Sequence, residues 1–219
     1  MTIAVIQFSA SNCDRDTHHV FQHVLHTQCE FVWQDDTVLP PGIKAVVLPG
    51  GFSFGDYLRA GAMAAHRPIM KDVKRFAESG GPVLGICNGF QILCEAKILP
   101  GVLMPNHSNR FICSNVELNV TGGGYGALKY YAKDERITLP IAHHDGRYYA
   151  DEDTLRQLQT HKRIALQYVD DVNGSESLIA GIFGGPEHNV LGLMPHPERR
   201  SEMCLGGTDG IQMLRGLYV

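Results

Sequence analysis

The chain has 219 residues, 44% of them hydrophobic, and a formal net charge of −4. This is enough apolar material for one sizeable core, so a single domain spanning 1–219 is expected. No basic run is present, which argues against nucleic-acid binding because phosphate neutralisation needs clustered Lys and Arg; no stretch of about 18 apolar residues reads as a membrane span.

The opening run Thr2-Ile3-Ala4-Val5-Ile6-Gln7-Phe8 reads as a buried strand. It lacks the charged start and long apolar segment of a signal peptide, so a cytoplasmic location is expected. A helix follows near 16–28, then strands near 30–33 and 44–48. The loop Pro49-Gly50-Gly51-Phe52-Ser53-Phe54-Gly55-Asp56-Tyr57 comes next, with three glycines in six residues. A helix near 68–79 precedes the apolar strand 82–86, and the spacing of Phe90, Leu93, Cys94 and Lys97 predicts a helix over 88–98 that Pro100-Gly101 stops. Alternation then predicts strands over 111–120, 137–141, 164–169, 178–183 and 190–194, with helices at 151–159 and from 208. Short apolar runs alternating with amphipathic ones point to an α/β fold: a doubly wound, mostly parallel sheet with flanking helices and additional strands in the C-terminal half.

Gly85-Ile86-Cys87-Asn88-Gly89 joins the strand at 82–86 to the helix at 88–98. This is the form of a nucleophile elbow, in which glycines permit the close approach and unusual dihedrals of a sharp turn. Cys87 then lies at a helix N-terminus, where unpaired N–H groups and the dipole favour thiolate over thiol. A small buried core cysteine is the structural alternative, and the glycine frame argues against it. In Pro195-His196-Pro197-Glu198 each proline pushes the preceding residue out of the helical region. Two residues along an extended chain return to one face about 6.6 Å on, so Glu198 can hold the His196 imidazole in one tautomer. Cys87, His196 and Glu198 thus form a candidate nucleophile, base and orienting acid. Backbone N–H groups of Gly51 and Asn88 are candidates for an oxyanion hole.

The six cysteines, at 13, 29, 87, 94, 113 and 204, form no C-x-x-C pair and no metal-ligand spacing, so reduced thiols and no metal site are expected. His19, His23 and His26 have helical spacing but no acidic or cysteine companion, and read as a solvated face. Gly122-Gly123-Gly124-Tyr125-Gly126 lacks the strand-then-helix context and following Lys of a phosphate loop, and reads as a turn between strands.

The runs Gly85-Ile86-Cys87-Asn88-Gly89-Phe90-Gln91 and His196-Pro197-Glu198 resemble class I glutamine amidotransferases. Gly50-Gly51-Phe52-Ser53-Phe54-Gly55-Asp56-Tyr57-Leu58-Arg59, Met194-Pro195-His196-Pro197-Glu198-Arg199, Ser11-Asn12-Cys13-Asp14, Phe111-Ile112-Cys113, Asn173-Gly174-Ser175 and Gly207-Thr208-Asp209-Gly210 extend the likeness to glutaminase subunits of phosphoribosylformylglycinamidine synthases. The resemblance covers essentially the whole chain. It implies hydrolysis of the glutamine side-chain amide and delivery of ammonia to a large ATP-dependent synthetase subunit, with a small third subunit in the assembly. Gln91 would help hold the substrate, and Ala142-His143 would flank it. No cofactor is implied for this chain; ATP and Mg would bind the partner. Two departures stand out: His144 where the family has glycine, and Ser9-Ala10-Ser11-Asn12 where proline and glycine are common. A standalone cysteine hydrolase of the same superfamily and a catalytically silent binding module remain the alternatives.

Overall fold

Strands β1 (Thr2–Gln7) and β3 (Ile43–Leu48) are apolar almost throughout and bury their inner residues on both faces, as strands of a helix-covered parallel sheet do. The structure, a computed structural model, describes residues 2–218. After β1 come α1 (Asp14–His19) and β2 (Gln28–Trp33), and after β3 come α2 (Ala62–Ala65), α3 (Ile69–Glu78), β4 (Val83–Ile86) and α4 (Asn88–Glu95). The second half contains β5 (Val102–Met104), β6 (Ile112–Val120), β7 (Glu135–His143), β8 (Arg147–Tyr149), α5 (Glu152–Thr160), β9 (Ile164–Tyr168), β10 (Ile179–Gly184), β11 (Val190–Leu193) and α6 (Ile211–Gly216).

Nine strands form one sheet in the order β2-β1-β3-β4-β11-β10-β9-β6-β7, while β5 and β8 pair as a small separate ribbon. The run from β2 to β11 is parallel, and every pair beyond β11 is antiparallel. The parallel half therefore delivers the C-terminal ends of β1, β3, β4 and β11 to one edge, side by side. In open α/β sheets this edge is where loops build a site.

Three elements differ from expectation. The helix expected over 16–28 ends its regular part at His19 and closes through a wider turn, Val20–Val24, in which Leu25 N–H donates to the Val20 carbonyl at 2.8 Å. Pairing of Thr2 with Gln28 claims the last residue that the helical spacing had included, so a tertiary ladder overrides local preference there. The helix from 88 stops at Glu95. Lys97 takes a left-handed conformation (φ 57°), with Ile98 N–H donating to Leu93 O and Lys97 N–H to Cys94 O, a Schellman closure that ends the helix before Pro100. The β5–β8 ribbon was not visible in the sequence, because three-residue strands are too short to show a period. The glycine-rich segment 122–126 lies between β6 and β7, as a turn. Among the described residues, no helix is long and apolar enough to cross a membrane.

Candidate active site

Cys87 occupies the turn between β4 and α4 with φ 51° and ψ −105°, a strained conformation for a residue with a side chain. The neighbouring glycines make the turn possible through space alone. A Cβ on Gly85 would stand 2.5 Å from Leu93 Cδ1, and one on Gly89 would overlap the Leu48 carbonyl oxygen, because α4 packs directly on β3 and β4. Neither glycine has a positive φ; the unusual dihedral falls on Cys87 itself. Backbone bonds fix the turn further. Cys87 N–H donates to Leu193 O at 2.7 Å, and its carbonyl accepts from Phe90 and Gln91 in the first turn of α4.

His196 follows β11, the strand beside β4. Its backbone is extended, as the flanking prolines require, and its N–H donates to Pro140 O at 2.8 Å. Pro197–Arg200 is then a short 3₁₀ turn rather than the extended run expected from the prolines, since Pro197 at the first helical position is already set for a helical φ. The pairing survives the change. His196 Nδ1 lies 2.6 Å from Glu198 Oε1, and both residues are 1% exposed. Burial by itself would depress the imidazole pKa, but the Glu198 carboxylate and the adjoining thiols outweigh it and hold that pKa well above the ordinary histidine value. His196 Nε2 has no hydrogen-bond partner and is left for chemistry.

A cavity of about 110 Å³ opens over Cys87 and His196, lined also by Gly51, Asn12, Ala142 and the Phe52 and Phe111 rings, whose centroids are 6.4 Å apart. Cys87 Sγ lies 3.7 Å from the Ala142 carbonyl. Gly51 has φ 140°, and a Cβ there would stand 2.7 Å from Asn12 N, so only glycine lets this backbone pass the loop after β1. Asn88 opens α4, where N–H groups lack intrahelical acceptors. Its side chain bolts the β3 loop to the elbow: Oδ1 accepts from Ser53 N–H at 3.1 Å, and Nδ2 donates to Gln91 Oε1 at 2.8 Å. Gln91 Nε2 donates to the Asp145 carbonyl at 2.7 Å. Asn88 and Gln91 side chains thus build a wall beside the cavity, joining three loops, and are absent from its immediate lining.

Four neighbours had no catalytic part assigned from the sequence, although Ala142-His143 was expected to flank the substrate. Cys13 is buried, accepts from Arg199 Nη2 at 3.0 Å, and lines the same cavity. Arg199 is braced by Asp16, with Nε 3.3 Å from Oδ2. His143 is 2% exposed with neither ring nitrogen bonded; burial, with His196 nearby, pushes its pKa down to about 4 and keeps it neutral. Asp56, half-buried and facing Asp145, has its carboxyl pushed up to about 6, chiefly by burial. No residue spacing reveals these groups, because they come from separate strand ends. His144, the departure from the family pattern, is exposed and pairs with Asp145 at 2.6 Å. His19, His23 and His26 are exposed; His19 pairs with Glu202 at 3.0 Å.

A family model described as a CobB/CobQ-like glutamine amidotransferase domain matches residues 1–206. The phosphoribosylformylglycinamidine synthase subunit PurQ of Zymomonas mobilis is 50% identical over 217 residues, covering 99% of this chain and 98% of that protein. The subunit of the same name from Novosphingobium aromaticivorans is 49% identical over 209 residues, covering 95% and 92%. A chain in the structure of PurLQS from Thermotoga maritima superposes with a TM-score of 0.90 at 40% identity, covering 99% of this chain and 96% of that one.

Proposed function

The chain belongs to the CobB/CobQ-like glutamine amidotransferase family, and from that premise we propose that it is the glutaminase subunit of a phosphoribosylformylglycinamidine synthase. It hydrolyses glutamine to glutamate and ammonia and passes the ammonia to a large ATP-dependent synthetase subunit, which converts formylglycinamide ribonucleotide to formylglycinamidine ribonucleotide in purine biosynthesis. The observation that carries this reading is the buried His196–Glu198 pair, 2.6 Å apart, beside the strained Cys87 elbow. Near-full-length identity of about half to two PurQ subunits supports the choice of synthase.

Cys87 Sγ attacks the carboxamide carbon of glutamine, and the N–H groups of Gly51 and Asn88 receive the negative oxygen. His196 gives its proton to the departing nitrogen, releasing ammonia and leaving a thioester on Cys87. The imidazole then takes a proton from water as its oxygen attacks the thioester, and glutamate leaves while the thiol is regenerated. Glu198 fixes the tautomer and stabilises the imidazolium in both steps. Gln91, seated between Asn88 and Asp145, helps hold the substrate, and the segment at Ala142-His143 flanks it.

The reaction needs no metal or cofactor on this chain; ATP and Mg bind the synthetase. A small third subunit completes the assembly, as the PurLQS name of the Thermotoga maritima structure suggests. The chain works in the cytoplasm and binds neither membrane nor nucleic acid. The test is glutamate release from glutamine, slow for the chain alone and faster with its synthetase, and lost in Cys87→Ala. Wild-type protein that releases no glutamate even in the complex overturns the reading.

A further inference from the structure

Beyond His143, which pairs with Ile112, the chain leaves the β6–β7 ladder, and residues 144–146 turn towards β8. Two buried asparagines from other loops hold this turn. Asn106, 1% exposed and just after β5, donates from its backbone N–H to the His144 carbonyl at 2.8 Å and from Nδ2 to the His143 carbonyl at 2.9 Å, while its Oδ1 accepts from Gly146 N–H at 3.2 Å. Asn173, 3% exposed and between β9 and β10, donates from Nδ2 to the Gly146 carbonyl at 2.9 Å. Each is itself braced: Asn106 Nδ2 also donates to Arg110 O at 2.8 Å, and Asn173 Oδ1 accepts from Ser175 Oγ at 2.8 Å. Gly174 (φ 82°) lets the second loop close on the first, since a Cβ there would stand 2.9 Å from His107 Cβ. With the carbonyls on either side claimed, that of Asp145 accepts from Gln91 Nε2 at 2.7 Å. The hydrolytic steps use neither asparagine.

We propose that Asn106 and Asn173 are positioning residues for glutamine, which set its affinity by holding the Asp145 carbonyl against Gln91. The inference rests on Gln91 as a substrate-holding residue. A carboxamide suits the task because it carries donors and an acceptor on one short arm, and the turn presents carbonyls and an N–H together. Removing either amide strands buried polar backbone, which costs more than a bond is worth, so the turn shifts to recover partners. Gln91 must follow, because its amide is shared between the Asp145 carbonyl and Asn88 Nδ2, 2.8 Å from Oε1. The nucleophile and base are anchored elsewhere: Cys87 N–H donates to Leu193 O and His196 N–H to Pro140 O. Ala142, whose carbonyl faces Cys87 Sγ, is still within the ladder opposite Cys113. Loss of the asparagines therefore weakens binding in ground and transition states alike, which raises KM and spares kcat.

Glutamine kinetics of the full chain in complex with its synthetase test this. Asn106→Ala and Asn173→Ala should each raise the glutamine KM about tenfold and leave kcat, and the rate at which iodoacetamide alkylates Cys87, within about twofold. A double-mutant cycle separates positioning from general loosening of the fold. If the asparagine acts through Gln91, adding Asn173→Ala to Gln91→Ala should change KM by less than about twofold, whereas independent effects would multiply. An unmoved KM, a fall in kcat without a rise in KM, or full multiplication in the cycle overturns the proposal. Should the alanine variants not fold, Ser175→Ala, which removes only the hydroxyl bracing Asn173 Oδ1, should raise KM about threefold; a wild-type KM there is equally fatal. A wild-type complex that releases no glutamate overturns the glutaminase reading and this inference together, while an active wild type with any of the contrary variant results overturns this inference alone.

Discussion

Glu198 has no exposed surface through which water could screen its charge, so its effect on His196 passes almost undiluted across the 2.6 Å contact. Glu198→Gln preserves shape and removes the charge that stabilises the imidazolium. Turnover should fall about 10²- to 10⁴-fold, and the His196 pKa, followed by NMR of labelled imidazole, should drop; an unmoved pKa would contradict the assigned cause. Asp56 tests the opposite sign. Its folded pKa of about 6 lies above the ordinary carboxylate value, so the native state holds a proton longer than the unfolded chain, and stability is lost as pH rises from about 4 through 6. Asp56→Asn should therefore raise Tm at pH 8 and change it little at pH 4. Because the group is only half-buried, the gain is under about 1 kcal/mol, a few degrees at most. A Tm difference independent of pH would remove Asp56 as its source. Cys87, His196 and Glu198 were legible in the sequence because each sits in a short run whose glycines or prolines dictate a local geometry. Cys13 and Arg199 stood in quoted runs without a role, and His143 was marked only with Ala142 as part of a segment flanking the substrate, because their meaning lies in what they face.

At the scale of elements, the elbow depends on how closely α4 approaches β3. A methyl at position 89 meets the Leu48 carbonyl, part of a buried strand that cannot yield. Gly89→Ala should thus destabilise the fold by about 3 kcal/mol or more and abolish glutamine hydrolysis. Thermal melting and turnover check both, and a variant of wild-type Tm and rate would show that the helix can shift away. Strand and helix positions were readable along most of the chain, since buried parallel strands are short apolar runs and α3 and α4 are strongly periodic. The end of α1 was not readable, because Gln28 is drawn into β2 by pairing with β1. Expectation also erred on the backbone after His196, which turns into a 3₁₀ segment and still delivers Glu198 to the same imidazole.

For the whole molecule, β1, β3, β4 and β11 are flanked by neighbours on both sides and almost wholly buried, whereas β6 joins the sheet through only two paired positions with β9, at Leu118 and Asn119. Hydrogen exchange should accordingly be slowest in the four central strands and faster in the β6–β7 hairpin; the reverse order would mean that the sheet does not open from this side. The same architecture divides what each level of description determines. Sequence alone determined the α/β class, the elbow, the candidates for nucleophile, base and acid, and the family resemblance, because these rest on local backbone restrictions and on runs a few residues long. Tertiary structure decided that positions 13, 51, 87 and 196 share one cavity. Four parallel strands end at one edge there, and strand order is set by packing between distant segments, which no local spacing encodes.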